Sequence, residues 1–332
     1  ASPPPIMTKH NDRRHLAVTF LAVAAAFLVS LSLGRYPITL SGLLAGEEMT
    51  VRTFTLLRLP RAVMALLGGF GLGVAGFVYQ TVFRNPLASP DIIGVSSGAS
   101  VGAAFAILFI SSGAAATTVC AFAGGLAAVF LALGLAAAVP RQSKVSLVLA
   151  GIAVHSLAQT LLMLLKLTAD PEKELASIEY WIMGSLAGIT AGRIGFSCAV
   201  IVLGCCALLV LHRQLLLLSL QEDEARTLGV SVAAMRFFVL TIATLVVAAV
   251  VSVTGLISFV GLLAPHIARL WLRHNRRTAC LMSGLLGSLL LLCADTLAKT
   301  AAATELPVSI FTSLVGVPFL LYILLSQRGY AE

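Results

Sequence analysis

Apolar residues recur along this chain in runs of about 20, separated by short polar links. A helix needs about that length to cross the ~30 Å hydrocarbon layer of a bilayer at a rise of ~1.5 Å per residue. The pattern predicts helices at 16–34, 62–82, 92–110, 115–139, 145–165, 194–211, 237–254, 256–268, 279–298 and 306–325. The eighth is too short to cross alone if straight, so it is expected to be broken, or buried in protein rather than lipid. The expected fold class is all-α, a polytopic membrane protein of about ten transmembrane helices per subunit. A single transmembrane domain at 16–325 is expected, with tails at 1–15 and 326–332. Ala1–Ile6 read as an expression remnant ahead of a native start at Met7. The basic stretch Lys9–His15 resembles the start of a signal peptide. The apolar run after it lacks a convincing cleavage site and many more runs follow, so a retained first span is expected.

Composition supports this reading. Of 332 residues, 59% are hydrophobic and 11% charged, where a soluble domain carries roughly a quarter charged residues. The net charge of +8 raises nucleic-acid binding, but the basic residues sit in links between apolar runs, with no basic stripe interleaved with aromatics. No nucleic-acid partner is expected. Placing the N-terminus in the cytoplasm puts 14 of the 22 basic residues inside against six acidic ones, and eight of each outside. That asymmetry fits the positive-inside rule, with the cluster Arg269–Arg277 as its strongest anchor, and an even number of spans returns the C-terminus to the cytoplasm. Two polar links are long: 166–193 outside, with Asp170, Glu172, Lys173, Glu174 and Glu179, and 212–236 inside.

Candidate chemistry is sparse. The six cysteines mostly lie inside apolar runs without a C-x-x-C pair, so they imply neither disulfides nor zinc. Gly71, Gly73 and Gly76 spell G-x-G-x-x-G, but within an apolar helix beside Gly68, Gly69 and Ala75. Without a preceding strand they predict close helix packing rather than dinucleotide binding. No P-loop occurs. His155 and His266 are expected to be hydrogen-bonded inside the bundle, since haem ligation would need further histidines on facing helices. Asp295 lies near the outer end of the ninth helix, where an ionisable group is costly and usually paired or functional. It is expected to partner a helix terminus. No catalytic residue, resident metal or cofactor is expected, so the chain is read as a non-enzyme. The turn from Arg84 to Asp91 carries Pro86 and Pro90, and it suits a pathway mouth or a plain loop equally.

The segments LRLPR (57–61), GLGVAGFVYQTVFRNPLASPDIIGVSSGAS (71–100), LAGIAV (149–154), WIMGSL (181–186), LSLQEDEARTLGVS (218–231), SFVGLLAPHIAR (258–269), ADTLAK (294–299), ELPVSI (305–310) and GVPFLLYILL (316–325) stand in a fixed order. In order and spacing they resemble the membrane permeases of bacterial ABC importers for iron-siderophores, haem and cobalamin. The resemblance implies a subunit of an ATP-driven importer, paired with a second permease subunit as a homo- or heterodimer in the lipid bilayer. It further implies two ATP-binding cassette ATPase subunits and an extracytoplasmic substrate-binding protein. By the same resemblance, Arg58, Arg61 and Lys299 would dock acidic residues of that binding protein. Lys299 stands where the family usually has Arg, which keeps the charge but not bidentate geometry. The plainer reading is that these cations anchor helix ends at headgroups. Asn85 and Leu87 would gate the inner mouth.

The loop 213–236 would couple to the ATPase through Glu222, Asp223, Glu224, Ala225, Arg226, Leu228 and Gly229. Its own residues fit a short helix, a turn and a second short helix. Three acids favour a helix start and Gly229 suits an end. The preceding leucines, 215–218 and Leu220, offer a docking surface or pack back on the bundle. An ion-coupled transporter is the alternative, and it would place buried carboxylates around a midplane site.

Overall fold

The computed structural model describes residues 9–34, 36, 38–139, 144–218, 232–272 and 277–327. Among these residues every regular element is a helix. In order they are α1 (Lys9–Ser32), α2 (Leu40–Leu44), α3 (Glu48–Thr53), a π turn (Phe54–Arg58), α4 (Leu59–Phe83), a 3-10 turn (Pro90–Ile93) and α5 (Val95–Phe109). Then come α6 (Ala114–Ala137), α7 (Lys144–Thr168), α8 (Glu174–Met183), α9 (Ala191–Val210) and α10 (His212–Leu218). The last are α11 (Val232–Thr254), α12 (Val260–Leu272), α13 (Arg277–Thr300) and α14 (Val308–Gln327).

A helix occupies each of the predicted apolar stretches. Seven are long and apolar enough to cross a membrane: α1, the continuous unit Glu48–Phe83, α6, α7, α9, α11 and α13. The apolar helices α5, α12 and α14 are shorter. Two elements differ from expectation. The second helix starts well before residue 62, because the chain is already helical from Glu48 through the π turn. Pro60 explains the π turn. Proline lacks an N–H and its ring clashes with the carbonyl four residues back. One widened turn, closed by Leu59 N–H donating to Phe54 O, precedes it and carries the helix through. The second is α8, inside the link 166–193. It is too short and polar for a span; ahead of it Asp170 forms a tight turn, its Oδ1 accepting from the N–H groups of Glu172 (2.8 Å) and Lys173 (3.3 Å).

Burial ranks the helices. In the most apolar stretch of each, 78% of the Glu48–Phe83 unit and 72% of α11 are buried, against 17% in α1, 28% in α7 and 22% in α9. α4 and α11 are therefore the core, and α1, α7 and α9 present most of their surface outward. The predicted packing role of the α4 glycines is what the structure shows. A Cβ on Gly69 would strike the carbonyl of Gly287, one on Gly73 that of Ser283, and one on Gly76 that of Gly261. α4 thus meets α12 and α13 backbone to backbone. α5 and α6 repeat the device, with Gly98 and Gly102 against the carbonyls of Gly124 and Cys120. Small residues four apart allow this approach in lipid. A buried hydroxyl pair, Tyr79 Oη and Thr244 Oγ1 at 2.8 Å, ties α4 to α11.

α12 is the short helix, and of the two expectations for it burial applies: it runs unbroken, and Val260, Leu263, Ala264, Ala268 and Leu272 are buried. An irregular stretch at 255–259 separates it from α11. Replacing Gly76 by Leu should cost at least ~1–3 kcal/mol through overpacking. Gly134→Leu in α6, where a Cβ meets nothing within 4 Å, is the control. Melting of both variants in detergent should show a clear loss for the first and little for the second. Equal melting would contradict the packing assignment.

Candidate functional site

The three predicted docking cations do come together, but their charge is turned inward. Arg58 ends the π turn and reaches the C-terminal end of α1. Its Nη1 donates to the carbonyls of Leu31 (3.2 Å) and Ser32 (3.2 Å), and its Nη2 to Tyr36 O (2.6 Å). Cations are favoured there because carbonyls at a helix C-terminus lack intrahelical donors. Arg61 donates from Nε to Asp295 Oδ1 (2.9 Å) and from Nη1 to Glu305 Oε2 (2.8 Å). Lys299 pairs with Asp295 Oδ2 at 3.0 Å and donates to the carbonyl (3.2 Å) and hydroxyl (3.0 Å) of Ser30. The side chains are 11% (Arg61), 0% (Asp295) and 7% (Lys299) exposed.

Asp295 therefore partners two cations rather than a helix terminus. The terminus belongs to Arg58 and Lys299, and Asp295 with Glu305 offsets two of the three converging positive charges. Sequence reading missed the Asp295–Lys299 pair, although its i,i+4 spacing on one helix announces it. Glu305 carried no such signal, since its partner lies far along the chain.

A second cation closes the opposite end of α4. Arg269 of α12 donates to Gln80 Oε1 (3.0 Å), Thr81 Oγ1 (2.9 Å) and Phe77 O (3.3 Å), and its guanidinium lies 4.9 Å from the Phe77 ring centroid. Gln80 Nε2 in turn donates to Leu262 O at 3.1 Å. Arg61 and Gln80 are ~28 Å apart at ~1.5 Å per residue, close to the hydrocarbon thickness. The chain then turns sharply. Arg84 caps α4 in the left-handed region (φ 50°), and Asn85 Oδ1 accepts from Leu87 N–H at 2.9 Å. Asn85 and Leu87, the predicted gate residues, are both exposed on this turn. His266 is half-buried, edge-on to Phe319 at 5.8 Å, so the expectation of a histidine inside the bundle is met only in part. His155 does not meet it and is exposed on α7.

Two of the recognised segments, 181–186 and 305–310, meet the stretch 254–256 at one backbone knot. Ser185 N–H donates to Thr254 O (2.7 Å), Val308 N–H to Gly184 O (3.0 Å), and Ser309 Oγ to Leu256 O (2.6 Å). Gly184 (φ 73°) and Gly255 (φ 71°) sit at the crossing, where a Cβ on either would strike backbone. The predicted coupling residues Glu222, Asp223, Glu224, Ala225, Arg226, Leu228 and Gly229 lie outside the described residues. Of the leucines before them, Leu215 and Leu218 are buried and pack back on the bundle.

Removing one member of the buried charge cluster should be costly, because it leaves the others uncompensated. Arg61→Ala should destabilise by ~3–5 kcal/mol. Arg61→Met with Asp295→Asn should recover part of that loss. A thermal double-mutant cycle measures the coupling, and strict additivity would contradict the pairing.

Similarity to known proteins extends along the chain. The model of the FecCD transport family matches residues 21–326. A cobalamin import system permease protein of Halobacterium salinarum is 40% identical over 268 residues, covering 81% of this chain and 72% of that protein. A molybdate import system permease protein of Haemophilus influenzae is 35% identical over 315 residues, covering 91% and 92%. A solved metal-chelate type ABC transporter, in an inward-facing conformation, superposes with a TM-score of 0.86 at 32% identity, covering 95% of this chain and 99% of that one. With its glycine-locked core and apolar spans, this chain is a multi-pass membrane protein that belongs to the FecCD transport family.

Proposed function

We propose that the chain is the membrane-spanning subunit of an ATP-driven importer, passing a metal chelate from an extracytoplasmic binding protein to the cytoplasm by alternating access at a dimer interface. A ferric siderophore is the leading cargo, with haem and cobalamin as the other candidates. Two ATPase subunits and a second permease subunit complete the assembly, in a bacterial inner membrane, with about ten spans and both termini cytoplasmic. The superposition along nearly the whole chain with a metal-chelate type transporter carries this reading. The sequence holds no P-loop, which supports placing ATP hydrolysis on a separate subunit.

The site residues fit specific roles in that scheme. Arg58, Arg61 and Lys299 supply three positive charges against the two of Asp295 and Glu305, a surplus of one at the outer end. Such a surplus steers an acidic partner. Docking then works through the field of the cluster and through Arg58, which donates to the neutral carbonyls of Leu31, Ser32 and Tyr36. Asn85 and Leu87 stand on a proline-stiffened exposed turn, where small movements of α4 or the 3-10 turn would open or shut the inner mouth. The segment containing Glu222, Asp223, Glu224, Ala225, Arg226, Leu228 and Gly229 couples to the ATPase.

Uptake into vesicles holding the permease with its ATPase and binding protein should require ATP and persist when ion gradients are collapsed. Leu87→Trp should lower that uptake at least about tenfold (about 1.4 kcal/mol) without changing co-purification of the ATPase. Uptake driven by an ion gradient without ATP would overturn the importer reading. Normal uptake by Leu87→Trp would remove the gate alone.

A further inference from the structure

α6 and α9 are both packed on α11. They meet each other through an edge-on ring pair, Phe122 and Phe196 at 5.4 Å, and through Arg193 Nη2 donating to Ala114 O at 3.5 Å. Along this seam the exposed residues are apolar: Val119 and Ala123 on α6, and Phe196, Ala199 and Leu203 on α9. At one end the seam runs into a cavity of about 530 Å³. Its lining joins the end of α5, the start of α6, α8, the start of α9 and the end of α11. That is the end of the bundle that holds Arg61, since α4 leaves it and α5 returns the chain to it.

Polarity is graded across the cavity lining. Glu172 and Lys173 are exposed, Tyr180 and Trp181 follow, and Ile107 and Val253 are buried. Tyrosine and tryptophan are the residues favoured where water meets hydrocarbon. Arg193 stands among them. Its Nη1 donates to Gly188 O at 2.7 Å, but its Nε is buried and meets no acceptor among the described residues. One turn deeper on α9, the buried hydroxyl of Ser197 has no partner there either. Neither α6 nor α9 has a side-chain cap at its start, so two positive helix ends lie at the same place.

Buried donors left without acceptors are costly, and two of them one turn apart call for a ligand rich in acceptor oxygens. A phosphate suits a guanidinium best, because charge and geometry both match. A phosphate in solution would make no use of the apolar seam below. Charge, then an aromatic collar, then an apolar track is the order of groups along a phospholipid. Basic pockets between membrane helices hold such headgroups elsewhere.

We propose that this cavity holds the headgroup of a glycerophospholipid, with its phosphate at Arg193 and an acyl chain along Phe122 and Phe196. Ser197, ~6 Å deeper at ~1.5 Å per residue, is at the level of the ester carbonyls and supplies them a donor. The lipid then fills the seam between α6 and α9 and braces both against α11. This site stands apart from the importer reading and needs no ATPase.

Trp271→Phe leaves Trp181, in the cavity lining, as the one tryptophan of the chain and makes it the reporter. The full chain, purified in a maltoside detergent that carries no phosphate, is titrated with a phospholipid bearing a nitroxide on its headgroup. Quenching of Trp181 should saturate. Unlabelled phosphatidylethanolamine should reverse it, whereas diacylglycerol and inorganic phosphate should not. Arg193→Gln should weaken the lipid at least about tenfold, and Arg193→Lys, which keeps the charge, should weaken it less. Quenching that does not saturate, reversal by diacylglycerol, or unchanged affinity in Arg193→Gln would overturn the site. Reversal by inorganic phosphate would give the cavity to a soluble anion and overturn the lipid. The competition arms leave Arg193 intact, so they decide the matter even if Arg193→Gln does not fold.

Discussion

Helices in lipid gain nothing by hiding apolar surface from water, since the surrounding chains are as apolar as leucine. What holds this bundle is close approach of backbones, and α4 is where it is concentrated. Gly69, Gly73 and Gly76 let α4 touch α12 and α13 with no side chain between. The consequence is a helix buried from Gly71 to Phe83 without interruption. Its position then fixes both ends, the charge cluster at Arg61 and the Arg269 clamp at Gln80.

The two clamps differ chemically. At Gln80 one guanidinium is met by neutral oxygens, which fixes the end of α4 just before the Asn85–Leu87 turn. At Arg61 three cations are held by two carboxylates and by carbonyls at the end of α1. The latter arrangement joins α1, α4 and α13 and still leaves positive charge over. On the proposed docking role, structural anchoring and partner attraction belong to one cluster and are not competing explanations. The backbone knot at Gly184, Gly255 and Val308 ties the stretch after Glu305 to α8 and α11. A disturbance at Glu305 thus has a short covalent and hydrogen-bonded route into the bundle.

Most of the helices were legible from hydropathy, because a bilayer-spanning run leaves a signal independent of tertiary context. The α4 glycines were legible for the same reason: four-residue spacing of small side chains has one main use in lipid. The start at Glu48 was not, since Arg52, Arg58 and Pro60 interrupt the apolar run and only a π turn carries the helix through them. α8 was hidden by its length. The docking residues were placed by resemblance, but their burial was not visible, because pairing of Arg61 with Glu305 joins positions 244 apart.

The central claim is that α4 is the rigid axis on which the rest is assembled. Amide hydrogen exchange of the protein in lipid nanodiscs tests it directly. Amides of 68–82, with the facing stretches of α11 and α13, should be the last to exchange, well after those in the outward-facing halves of α7 and α9. Exchange in 68–82 as fast as in α1 would contradict the account, whatever the transport assays report.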